Sequence, residues 1–106
     1  MIRPVRRGNG LGISEIIVPV RAQLEEALKV NRARNPRVFG SVARGEAEKS
    51  SDLDLLVDFD STASAFDQMN LIAELEALFG RKVDVTEPDG LHWLVRPQVL
   101  FEAVPI

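Results

Sequence analysis

The chain contains no cysteine. That excludes a disulfide scaffold, a thiolate zinc site and a cysteine nucleophile. It has one histidine and one tryptophan. No uninterrupted apolar run follows the basic residues at its start, so no secretory signal is expected. No stretch approaches the roughly 18–20 apolar residues of a membrane span, and the expected location is the cytoplasm. Strong charge of one sign is also missing: the net charge is −3 with pI near 5.1, which argues against a nucleic-acid binder held by bulk positive charge. What is present is a globular composition, 45% hydrophobic and 27% charged over 106 residues, the size of one small domain. The charge is unevenly spread. Residues 1–37 hold eight Arg or Lys against three Glu, whereas residues 38–106 hold five basic against thirteen acidic residues.

Arg, Gly and Pro dominate residues 1–12, which read as a mobile basic leader ahead of a domain over 13–106. Ile13, Ile16, Ile17, Val20, Leu24, Ala27 and Leu28 recur at helical spacing, with Ser14 as candidate N-cap. Pro19 bends this helix or starts its regular part, and Asn35-Pro36 closes it. A short strand is expected at 37–39 and a short helix at 42–46. Leu53–Phe59 alternates as a strand, with Leu53, Leu55, Val57 and Phe59 on one face and Asp52, Asp54, Leu56 and Asp58 on the other. A second helix spans 64–79, with Phe66, Met69, Ile72, Leu75 and Phe79 as its apolar stripe and Gly80 after its end. A strand at 82–86, a turn at Pro88-Asp89-Gly90 and a short helix within 91–101, broken near Pro97, complete the order. The expected fold is α/β (α+β): a small mixed sheet flanked by helices.

Three features of the sequence carry chemistry. Gly40-Ser41 lies between a strand and a short helix, where the backbone can approach a ligand and free N–H groups suit phosphate. Asp52 and Asp54, two residues apart on a strand, project from one face, where their mutual repulsion is relieved by a hard divalent cation such as Mg²⁺. Asp84 lies on the next strand, and suitable register would bring it to the same cleft. Three carboxylates facing one cleft suit two metal ions at a displacement on phosphorus. Glu87 and Asp89, in the turn, are weaker candidates. His92 and Trp93 read as structural residues, and Met69 as core.

Together these features form Gly-Ser-x10-Asp-x-Asp. This resembles the signature of the DNA polymerase beta nucleotidyltransferase superfamily. More narrowly, Phe39–Ala47 followed by Ser51–Val57 looks like the minimal nucleotidyltransferases, the MntA-type antitoxins paired with HEPN-domain toxins. The resemblance spans about residues 13–104 and implies a polymerase-beta-like nucleotidyltransferase fold. It also implies that Gly40 and Ser41 hold ATP, that Arg44 contacts a phosphate, and that Asp52 and Asp54 bind two Mg²⁺ ions. Asp84 would be the third carboxylate, a metal ligand and the base for the incoming hydroxyl. The implied reaction adds AMP to a tyrosine of the HEPN toxin and releases pyrophosphate; the partner would supply most of the acceptor surface. Lys49, in its loop, is a weaker candidate to approach the phosphates. Two other classes stay open: an antitoxin that neutralises by binding alone, and a free-standing transferase acting on a small molecule or RNA end.

Overall fold

A computed structural model describes residues 8–106. The chain runs α1 (Ile13–Ile16), a 3-10 turn (Val18–Val20), α2 (Arg21–Val30), β1 (Ala33–Phe39), α3 (Gly40–Arg44), β2 (Leu53–Phe59) and α4 (Ala65–Phe79). It continues through β3 (Val83–Thr86), a 3-10 turn (Pro88–Gly90), α5 (Arg96–Glu102) and β4 (Val104–Pro105). The four strands form one mixed sheet in the order β3-β2-β1-β4. β2 runs antiparallel to β1 and parallel to β3, with α4 as the crossover.

The two faces of the sheet differ because β2 alternates. Leu53, Leu55 and Val57 join Val38, Val83 and Val85 in a core closed by Leu24 and Leu28 of α2 and Leu71 and Leu75 of α4. Asp54 projects from the other face, opposite Phe39 of β1. Leu56, two residues on, is fully buried on that face as well. The face is therefore apolar at its centre, with Asp54 at one end and Asp58, paired with Arg37 at 2.9 Å, at the other.

Several sequence expectations are corrected. The first helix does change course at Pro19, as expected: it divides into α1, the 3-10 turn containing Pro19, and α2. Its N-cap is Gly12, whose N–H donates to Glu15 Oε1 at 2.7 Å, rather than Ser14. The helix ends at Val30, before Asn35-Pro36, and β1 starts at Ala33 and runs through that pair instead of beginning after it at Arg37. It does so through a bulge between Arg34 and Arg37, with Asn35 at φ +57°. Pro36 cannot donate, but its carbonyl accepts from Ile106 N–H at 3.1 Å. Pro97 lies in the first turn of α5, where its missing N–H costs nothing, so it opens that helix rather than breaking it.

Other departures concern exposure. Phe66 and Met69 are 74% and 64% exposed, so α4 buries a narrower stripe than its sequence suggests. Trp93 is 72% exposed and stacks on His92, with ring centroids 5.7 Å apart. Of the expected leader, residues 1–7 lie outside the described residues. The rest is tied down: Gly10 N–H donates to the Gly45 carbonyl, and Leu11 and Ala47 exchange both backbone bonds.

Candidate active site

The site forms where β1 ends and β2 and β3 begin. β1 delivers its last residue, Phe39, opposite Asp54, and the chain then turns sharply into α3. That turn needs Gly40, at φ +76°, a conformation L side chains rarely adopt. A Cβ there would also overlap Asp54 Oδ2, so the absence of a side chain lets the carboxylate sit against the turn. Ser41 follows, half-buried, at the start of α3.

Parallel pairing of β2 with β3 sets Leu53 opposite Val83, Asp54 opposite Asp84 and Leu55 opposite Val85. The register anticipated for Asp84 is thus the register present. Asp84 and Asp52 both stand within electrostatic reach of Asp54. The Asp54 carboxyl is pushed up to about 6, first by burial and then by the charges of Asp84 and Asp52, with Arg44 opposing. Asp52 and Asp84 are exposed. The loop before Asp52 is clamped by Arg81, whose Nη1 donates to the carbonyls of Glu48 and Ser51, both at 3.0 Å.

Among the described residues, no three His, Cys, Asp or Glu side chains form a ready-made metal cage. Mg²⁺ does not need one: it is usually held by one or two carboxylates together with waters and substrate phosphates. The donors here are hard carboxylate oxygens, and the uncompensated repulsion around Asp54 is the charge imbalance a divalent cation would relieve. The residues present therefore fit that ion.

Arg44, at the end of α3, is the cation of the site. Its Nε donates to Glu46 Oε1 at 2.8 Å and its Nη1 to Glu102 Oε2 at 2.9 Å. These bonds, to Glu46 and then to Glu102, raise its pKa further and keep it charged. Glu102 Oε1 also accepts from Gly40 N–H at 2.7 Å. Sequence reasoning missed Glu102, which follows Gly40 by 62 positions and belongs to no motif. The other candidates do not join. Glu87 accepts from Phe59 N–H at 3.3 Å, at the far end of β2, and Asp89 lies exposed in the turn after β3. Lys49 is exposed in the loop before Asp52.

A mixed sheet that brings a Gly-Ser turn against paired strand carboxylates is the architecture of a nucleotidyltransferase core. The model of the nucleotidyltransferase domain matches residues 21–106, and the chain belongs to that family. The chain is 38% identical over 92 residues to the protein adenylyltransferase MntA of Thermococcus cleftensis, covering 87% of this chain and 90% of that protein. A solved structure described as a minimal nucleotidyltransferase is 41% identical, with a TM-score of 0.71 over 93% of this chain and all of that one. A toxin–antitoxin crystal structure with AMP-PNP shares the fold at a TM-score of 0.64 and 20% identity, over 79% of this chain and 69% of that one. No helix among the described residues is long and apolar enough to cross a membrane.

Proposed function

We propose that this nucleotidyltransferase is an antitoxin that moves AMP from ATP, with Mg²⁺, onto a tyrosine hydroxyl of a HEPN-domain toxin. The observation that carries the reading is the register of Asp54 with Asp84 beside the Gly40 turn. The likeness to MntA and the AMP-PNP in a toxin–antitoxin of the same fold support nucleotide and partner.

In this reading Gly40, Ser41 and Arg44 hold the triphosphate. Asp52, Asp54 and Asp84 hold the metal. Bound Mg²⁺ would neutralise phosphate charge and make the acceptor hydroxyl more acidic. Asp84, exposed on the edge strand, would take the proton of the incoming hydroxyl. Asp54, half-buried behind it, has its position fixed by Gly40 and by the strand pairing. Positioning and charge neutralisation supply most of the rate in such transfers. Incubation with ATP, Mg²⁺ and the HEPN protein should add one or more AMP units to the toxin, read by intact mass. A toxin whose mass does not change would overturn the proposal.

A further inference from the structure

Helix α3 has only five residues, too few to hold its own shape, and no side chain near it in sequence caps its first turn. Its first N–H and its last side chain are instead gathered by one distant carboxylate. Glu102 accepts from Gly40 N–H at 2.7 Å and from Arg44 Nη1 at 2.9 Å. The register of β4 explains why it reaches. Antiparallel pairing sets Arg37 opposite Pro105 and Val38 opposite Val104, and Ile106 N–H bonds Pro36. Continued by two residues, the same register puts Glu102 opposite Gly40. The Glu102 side chain is only 21% exposed, so the carboxylate works in a partly dry setting where charged hydrogen bonds count for more.

We propose that Glu102 is the positioning residue of the triphosphate site, fixing the Gly40 turn and the Arg44 guanidinium in the geometry that ATP meets. This rests on the assignment of Gly40, Ser41 and Arg44 to the triphosphate. Glu102 takes the single N–H of Gly40, which leaves Gly40 to serve the site by its turn and its missing side chain; Arg44 keeps further N–H donors, and Ser41 is untouched by Glu102. Glutamine at 102 offers one acceptor oxygen where two donors converge, and it turns an N–H₂ toward one of them. Glu102→Gln therefore loosens one end of α3 while preserving side-chain size.

The test is calorimetric titration of Mg-ATP into the wild type, Glu102→Gln and Glu102→Ala, with KM for ATP and kcat from the transfer assay and melting curves on each. The expected result is ATP binding weakened about tenfold in Glu102→Gln and more in Glu102→Ala, the worth of one charge-assisted bond. KM should rise more than kcat falls. A purely structural residue would lower the melting temperature and leave affinity and KM of the folded protein unchanged, which would overturn the proposal. Tighter ATP binding in either variant would also overturn it, because Glu102 would then compete with phosphate. Failure of the wild type itself to bind Mg-ATP would instead remove the nucleotide assignment on which the proposal stands.

Discussion

Asp54 and Asp84 stand opposite each other across parallel strands, and the charge of Asp84 adds to burial in raising the Asp54 carboxyl. Burial and the neighbouring charges of Asp84 and Asp52 hold the proton on Asp54 up to about pH 6. Without a cation the pair is a local cost to the fold, set among residues that otherwise pack well.

The first prediction concerns that cost. Asp54→Asn should stabilise the protein at neutral pH while abolishing AMP transfer. A shift from 3.8 to about 6 in a fully buried group would correspond to roughly 3 kcal/mol, and the half-exposed position reduces this to about 1 kcal/mol. Urea unfolding should show a raised midpoint with an unchanged slope. An unchanged or lowered midpoint would count against the repulsion.

The same pair predicts a pH dependence. Because the Asp54 carboxyl is raised in the folded state, the native protein binds more protons than the unfolded chain between about 4 and 6. This contribution to stability is present below that window and is lost as pH rises through it. The Asp54→Asn protein should lack this component of the slope. A cation must displace the proton, so Mg²⁺ affinity should fall below about pH 6, and titration near that pH should release protons. Affinity that is flat across the window would contradict the metal assignment.

Two glycines with positive φ should respond differently to alanine. Gly80, at φ +63°, has nothing within 4 Å of a built Cβ, so Gly80→Ala should cost only the roughly 1–2 kcal/mol of the left-handed conformation. Gly40, at φ +76°, adds an overlap with Asp54 Oδ2, so Gly40→Ala should cost more and also eliminate nucleotide binding. Thermal melts with and without Mg-ATP measure both effects.

α4 separates core from surface. Leu71→Ala, at a fully buried position, should destabilise by about 2–5 kcal/mol. Phe66→Ala, at an exposed position of the same helix, should stay within about 0.5 kcal/mol. Equal losses at the two positions would contradict the packing described.

The strands that carry the acids were legible because apolar residues alternate with acids there, Leu56 excepted: β2 covers the span its sequence indicates, and the Gly-Ser-x10-Asp-x-Asp spacing points to the turn and carboxylates that the fold juxtaposes. What was illegible depends on backbone freedom and distant register. Asn35-Pro36 reads as the end of the helix, yet β1 already runs through it because Asn35 adopts a left-handed conformation and its side chain bonds Asp58 at 2.9 Å. Phe66 and Met69 fit a helical stripe, but α2 and the sheet cover only the part of α4 that includes Leu71 and Leu75. Glu102 has no local signal, since only the pairing of β4 with β1 brings it to Gly40.

The central claim is tested most directly by where the label goes from ATP marked either at the α- or at the γ-phosphorus, incubated with Mg²⁺ and the toxin. The account predicts that α-label moves to a tyrosine of the toxin while γ-label leaves as pyrophosphate, and that both signals vanish with Asp54→Asn. Label on the toxin from the γ position, or α-label transfer that survives Asp54→Asn, would contradict it.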